Sequence, residues 1–170
     1  MSAVSERVGA AIRPMREHDL PRIAAIETRA YEFPWSEGIF ADCLRAGYCC
    51  WTVVAGGQIA GYGILSVGAD EAHLLNLCID PDFRQRGLAR RLLSHLLRLA
   101  RDHAAVICFL EVRPSNPAAI ALYESEGFRQ VAVRRNYYPA RTGREDAVVM
   151  TIQLPAAEAG AAVESPAGLG

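Results

Sequence analysis

Asp80-Pro81-Asp82-Phe83-Arg84-Gln85-Arg86-Gly87-Leu88-Ala89-Arg90-Arg91-Leu92-Leu93 joins two different hydrophobic patterns. Before it, Leu74 to Ile79 is a short apolar run that stops at Asp80-Pro81. After it, Leu88, Leu92, Leu93, Leu96, Leu97, Leu99 and Ala100 recur at helical spacing. The stretch therefore reads as strand, turn and helix start. A helix N-terminus offers unpaired backbone N–H groups and the positive end of the macrodipole. Arg84, Arg86, Arg90 and Arg91 add positive charge, and Gly87 and Ala89 keep bulky Cβ substituents away from the backbone. That is a cradle for a phosphate or pyrophosphate. A solvated, arginine-rich surface turn has the same composition, so the stretch alone leaves both readings open. It is neither a Walker A loop nor a G-x-G-x-x-G dinucleotide fingerprint.

Outward from this turn, the chain has 170 residues, enough for one domain with a sizeable core. Its formal net charge of -1 gives no general attraction to nucleic acid or to an anionic membrane, so any basic patch must be local. No apolar run approaches the ~20 residues that span a bilayer. Met1 to Ala11 carries charge and lacks the apolar core of a signal peptide, so none is expected there. The five cysteines (Cys43, Cys49, Cys50, Cys78 and Cys108) are odd in number and lie in apolar contexts. They read as reduced, buried thiols in a cytoplasmic protein. No His/Cys cluster has zinc spacing, and no metal is expected.

Taken in order, residues 1–9 read as a flexible leader and Ala10 to Arg13 as a short strand. A helix is expected over Leu20 to Tyr31, with Asp19 as N-cap and Pro21 in its first turn. Pro34 ends it, and Ser36 caps a second, shorter helix closed by Gly47. Tyr48–Val54 and Gln58–Val67 read as strands around a Gly56-Gly57 turn, with Gly61 and Gly63 as bulge or close-approach positions. Ala72–Ile79 is the next strand. Asn76 inside it needs a reason, such as a bulge that exposes backbone groups. A helix over Leu88–His103 and a strand over Ala105–Val112 follow. Asn116 at N-cap and Pro117 at N1 then open a helix ended by Gly127. Strands over Phe128–Tyr138 and Asp146–Leu154 close a domain of residues 10–154. Residues 155–170, rich in Ala and Gly, read as a disordered tail. The order β-α-α-β-β-β-α-β-α-β-β predicts an α/β (α+β) fold. About seven strands form a mixed, mostly antiparallel central sheet flanked by helices, and one βαβ crossover makes one strand pair parallel.

Four motifs on this order resemble the GCN5-related N-acetyltransferase family. Arg84-Gln85-Arg86-Gly87-Leu88-Ala89 is similar to its [Gln/Arg]-x-x-Gly-x-[Gly/Ala] signature. The run from Asn116 to Phe128, Asn-Pro-Ala-Ala-Ile-Ala-Leu-Tyr-Glu-Ser-Glu-Gly-Phe, resembles the family's N-x-x-A-x-x-L-Y-x-x-x-G-F segment. Phe33-Pro34-Trp35-Ser36, and Arg134-Arg135-Asn136-Tyr137-Tyr138-Pro139 with Gly143-Arg144-Glu145-Asp146-Ala147, resemble its RimI-type bacterial subgroup. That subgroup acetylates the N-terminal alanine of a small-subunit ribosomal protein.

The resemblance implies acetyl-CoA as donor and an amine as acceptor. It implies a parallel strand pair that splays apart to take the pantetheine arm. Leu77, Cys78, Ile79, Arg84, Gln85, Arg86, Gly87, Leu88, Ala89, Arg90 and Asn116 would bind the donor, with a backbone N–H such as that of Cys78 facing the thioester carbonyl. Glu111 is the expected general base, an ionisable group in the apolar strand Phe109-Leu110-Glu111-Val112. Tyr123 is the expected general acid. By the residues alone, strand alternation equally allows Glu111 to face solvent, and Tyr123 to cap the core. Phe33, Trp35, Tyr137 and Tyr138 would clamp the acceptor, or simply pack loops onto the core. Arg134, Arg135, Arg144, Glu145 and Asp146 read equally as recognition or as an ion-paired loop base. The expected partner is the N-terminus of a protein, a ribosomal protein by the resemblance, with no direct nucleic-acid or membrane binding, and the chain is expected to be a monomer or weak oligomer. The alternatives are acetylation of lysine or a small amine, or non-catalytic acyl-CoA binding.

Overall fold

The computed structural model describes residues 9–156. The expected leader up to residue 8 and the tail from residue 157 lie outside the described residues. Seven strands form one sheet: β1 (Ala11–Pro14), β2 (Cys49–Ala55), β3 (Gln58–Gly68), β4 (Glu71–Ile79), β5 (Ile107–Val112), β6 (Arg129–Pro139) and β7 (Arg144–Gln153). Their spatial order is β1-β2-β3-β4-β5-β7-β6. Every pairing is antiparallel except β4 with β5, the pair joined by the βαβ crossover.

Four helices cover the two faces: α1 (Leu20–Ala30), α2 (Glu37–Arg45), α3 (Leu88–Asp102) and α4 (Pro117–Ser125). The stripe Leu88, Leu92, Leu93, Leu96, Leu97 and Ala100 of α3 packs with Leu74, Cys108, Leu110 and Tyr123 in one core layer. Ile23 and Ile26 of α1 and Phe40 and Cys43 of α2 pack with Tyr62, Ile64 and Cys78 on the other. Gly63 is what lets α3 come this close. A Cβ there would lie 2.6 Å from the Leu96 Cδ1 atom. Leu96 is fully buried, and truncating it to Ala would cost about 2–5 kcal/mol.

The predicted caps hold at two helices. Ser36 Oγ accepts from the Ile39 N–H at 3.3 Å, and Asn116 Oδ1 accepts from the Ala119 N–H at 3.2 Å. Gly127 follows α4 at φ +105°. Asp19 differs from expectation. It closes a 3-10 turn over Glu17–Asp19 and makes no side-chain cap on α1. Its carboxylate is taken by Arg13, in a bidentate pair at 2.7 and 2.9 Å, and by the Arg16 N–H at 2.8 Å. An ion pair to β1 outcompetes the local cap because it satisfies both oxygens of a buried carboxylate at once.

Candidate active site

The parallel β4–β5 ladder is short. It holds Glu71, Ala72 and His73 against Ile107, Cys108 and Phe109 and then stops. Beyond it the strands diverge. β4 also carries an irregularity: Leu65 faces Leu74 and Ile64 faces Asn76, so Leu75 is extra. Two successive side chains, Leu75 and Asn76, therefore turn toward α1. Leu75 packs in the α1–α2 core layer, and Asn76 hydrogen-bonds to Glu27. Such a bulge bends a strand and ends its pairing on one side. The divergence opens a cleft of about 1350 Å³, lined by β4 and β5, the start of α3, α4, the α1–α2 loop and the β6–β7 hairpin.

Strand alternation fixes which backbone groups face that cleft. The Asp80 N–H donates to the Ala60 carbonyl of β3 at 2.7 Å, and Cys78 stands opposite Tyr62 of β3. Residues two apart point the same way, so the Cys78 backbone also faces β3. The groups left for a ligand are those of Leu77 and Ile79. This corrects the expectation for the Cys78 N–H; the amides facing the open side are those of Leu77 and Ile79. The Cys78 side chain lies in the α1–α2 core layer, where burial pushes its thiol up to about 11. The Tyr31 hydroxyl donates to the Leu77 carbonyl at 3.3 Å, which also places that peptide at the open side.

At the far end of β4 the cradle is built on Asp80, which is fully buried. Its carboxylate accepts from Arg22 at 2.7 Å and Arg29 at 3.1 Å, and from the Asp82 N–H at 2.9 Å. Burial alone would raise the Asp80 carboxyl, but the Asp82 N–H and the two guanidinium groups outweigh it and hold it below its ordinary value. Gln85 (φ +63°) and Gly87 (φ +73°) are both left-handed, and α3 begins directly after them. Successive turns of this kind aim backbone N–H groups at one point. Arg84, Gln85, Gly87, Leu88, Ala89 and Arg90 line the cleft.

The arginines divide. Arg86 lies over the Phe83 ring at 5.0 Å, Arg90 pairs with Glu126 just after α4, and Arg91 donates to the Ala10 carbonyl at 3.0 Å. Arg84 pairs with no carboxylate among the described residues, and is the side chain left to meet an anion. Four arginines in the sequence thus become one available guanidinium plus a helix terminus.

Glu111 lines the cleft from β5, and its side chain is 7% exposed. Its Oε2 lies 2.6 Å from His73 Nε2, a residue that the sequence did not single out. His73 sits where the ladder ends, one strand over, with its ring stacked on Phe109 at 4.2 Å. The His73 hydrogen bond holds the Glu111 carboxyl below its usual range, against the opposing effect of burial, with help from the charges of His73 and Arg134. Glu111 is therefore ionised at neutral pH, the state a proton acceptor needs. Tyr123 enters the cleft from α4 and packs edge-on to Phe128 at 5.7 Å. Burial pushes its phenol well above the ordinary value, so it stays protonated and able to donate.

The other end of the cleft is made of side chains. Glu27 on α1 is 2% exposed. Its carboxylate accepts from the Tyr62 hydroxyl at 2.6 Å and from the Asn76 amide at 3.2 Å. Burial pushes the Glu27 carboxyl up, while these donors and the Trp35 backbone pull it back. Glu27 was missed from sequence, yet it lies on the apolar stripe of α1, seven residues after Leu20 and four after Ile23. A charge on an apolar stripe was the available signal.

Phe33, Trp35 and Tyr138 line the cleft, whereas Tyr137 lies outside it and packs edge-on to Tyr138. Arg113, also missed, lies over the rings of Tyr138 at 4.3 Å and Phe33 at 5.6 Å. It bonds to the Pro139 carbonyl at 2.8 Å and to Glu145 at 3.1 Å. Asp146 accepts from the Asn136 N–H, and Arg144 donates to the Asn136 and Tyr137 carbonyls. Arg144 and Asp146 thus stitch the hairpin, and Glu145 ties it to Arg113 and Ser115 after β5. No group of three or more metal-ligating side chains occurs among the described residues, and no described helix is long and apolar enough to cross a membrane.

This geometry has close counterparts. Residues 15–128 match the model of the acetyltransferase (GNAT) family. The chain is 44% identical over 143 residues to the Escherichia coli K12 [ribosomal protein bS18]-alanine N-acetyltransferase, covering 84% of this chain and 97% of that one. It is 38% identical over 144 residues to the Haemophilus ducreyi protein of the same name, covering 84% and 99%. The crystal structure of the Escherichia coli ribosomal-protein-S18-alanine N-acetyltransferase superimposes with a TM-score of 0.82 at 42% identity, over 89% of this chain and 98% of that one. The Salmonella typhimurium protein yncA, crystallised with acetyl-CoA, shares the fold at 20% identity and a TM-score of 0.74, over 91% and 99%. The motifs, the splayed strands and these matches agree: the chain belongs to the GNAT family of acetyl-CoA-dependent N-acetyltransferases.

Proposed function

We propose that this protein transfers the acetyl group of acetyl-CoA to the α-amine of a protein N-terminus, and that its physiological acceptor is the N-terminal alanine of the ribosomal protein bS18 in the cytoplasm. The observation that carries this reading is one cleft holding an ionised carboxylate, a protonated phenol and a strand with open backbone groups, in a chain 44% identical to a bS18-alanine N-acetyltransferase.

Bound acetyl-CoA supplies an activated acyl group as a thioester. The N-terminus of α3, the backbone at Gln85–Gly87 and the Arg84 guanidinium would hold its pyrophosphate. Leu77 and Ile79 would pair with its pantetheine arm, and Asn116, besides capping α4, would contact it. The Leu77 N–H is the donor available to the thioester carbonyl as negative charge develops there. Glu111 takes a proton from the acceptor's ammonium group, giving the neutral amine that attacks. A free α-amine has a pKa of about 8, so one carboxylate suffices for this step. The new bond is the amide C–N and the broken one is the thioester C–S; Tyr123 gives its proton to the departing sulfur, and the second proton that the nitrogen sheds on becoming an amide restores the Tyr123 phenol. Phe33, Trp35 and Tyr138 would enclose the first acceptor residues.

Mass spectrometry on two synthetic peptides tests the reading. One begins with free Ala; the other has a blocked N-terminus and one internal Lys. The first gains a single acetyl group and the second gains none. Acetylation of the blocked peptide alone would overturn the proposal.

A further inference from the structure

The general base has a partner whose position gives it a specific task. Glu111 Oε2 and His73 Nε2 are 2.6 Å apart, and the His73 ring is fixed by stacking on Phe109 at 4.2 Å. The carboxylate has no proton to give, so the short contact requires that Nε2–H donates. His73 does not line the cleft. It sits behind Glu111 at the closed end of the splay, with 24% of its side chain exposed. The other charged and titratable groups facing Glu111 are Arg134 and Tyr138, both from β6. Arg134 stays 3.9 Å from Oε1, too far for a hydrogen bond.

We propose that His73 is the positioning residue of the general base, engaging Oε2 of Glu111 so that the carboxylate is held in one rotamer with Oε1 free for the acceptor's proton. The assignment rests on Glu111 acting as the base. Its consequence is that His73 acts on turnover through Glu111 without touching either substrate. Removing the donor leaves Glu111 subject to burial with the more distant Arg134 and its own backbone N–H as the remaining compensation. The carboxyl then gains protons more readily, and the base is lost over more of the acid range.

The test is kcat against pH for His73→Leu, His73→Gln and Glu111→Gln, with acetyl-CoA affinity measured on each as a check on folding. His73→Leu should lower kcat about tenfold, the scale of one hydrogen bond to a charged group, and move the ascending acid limb to higher pH. His73→Gln, which keeps an N–H donor, should recover most of that loss. A wild-type kcat and an unmoved limb in His73→Leu overturn the assignment, as does an equal loss in His73→Leu and His73→Gln. If Glu111→Gln turns over at the wild-type rate, the underlying reading of the base fails instead. Loss in Glu111→Gln with none in His73→Leu removes only the role of His73.

Discussion

The two ends of the cleft are built differently. The proposed donor end is backbone: open peptide groups on β4, two left-handed residues before α3, and a helix terminus, with Arg84 as the cleft-lining cation there that has no partner among the described residues. The proposed acceptor end is side chains brought from α1, the α1–α2 loop, the segment just after β5 and the β6–β7 hairpin: Glu27, Trp35, Arg113 and Tyr138. Backbone recognition suits a donor whose arm and pyrophosphate are the same in every reaction. Side chains suit an acceptor that must be told apart from other amines. Substitutions should therefore separate the two ends, with the reacting groups between them.

The largest effects are expected at that junction. Glu111→Gln should reduce kcat by at least about a hundredfold, and Tyr123→Phe by a smaller factor, the usual scale for losing a positioned acid or base. Acetyl-CoA affinity, measured by calorimetry, should stay near wild type in both. A large loss of affinity would mean that these side chains belong to the donor end.

Next in size is Glu27→Ala. It strands the Tyr62 hydroxyl and the Asn76 amide beside the β4 bulge, so unfolding by urea should show a loss of about 2–4 kcal/mol. Glu27 also carries a pH signature. Its folded-state pKa is raised, so the folded protein binds its proton more tightly than the unfolded one. Its contribution is thus most favourable below the unfolded carboxyl value and is lost as pH rises through the raised one. In the Gln variant that part of the pH dependence should vanish.

The smallest effects sharpen the contrast most. Arg84→Ala should raise the KM for acetyl-CoA several-fold, on the scale of one exposed charge-assisted contact, and leave the peptide KM unchanged. Arg113→Ala should do the reverse, since it removes the group packed between Phe33 and Tyr138. If both variants shifted the same KM, the division of the cleft would be wrong.

The same division explains what was legible in the sequence. The strand, turn and helix start around Asp80–Leu93 were, because Asp80-Pro81, Gly87 and the α3 stripe are local signals whose physics needs only neighbouring residues. So were the element order and the parallel β4–β5 pair, which follow from periodicity and crossover geometry. The arginines were legible as charge but not as allocation. Only packing shows that Arg86 goes to Phe83, Arg90 to Glu126 and Arg91 to Ala10. Asp19 was misplaced for a similar reason: a long-range ion pair took the carboxylate that a local cap would have used. His73 was invisible because the length of a crossover does not set the register of the strands it joins. Nothing in the sequence says that residue 73 ends beside residue 111. Glu27 was readable as a carboxylate on an apolar stripe, but its partners come from strands more than thirty residues away.

Full-length bS18 with a free N-terminal alanine, incubated with this enzyme and acetyl-CoA and then sequenced by tandem mass spectrometry, puts the whole reading at risk at once. The fragment ions should place one acetyl group on the α-nitrogen of the first residue, and Glu111→Gln should leave that nitrogen free. Acetyl on lysine side chains with a free α-amine, or an N-terminus left unmodified at full enzyme activity on other amines, would contradict it.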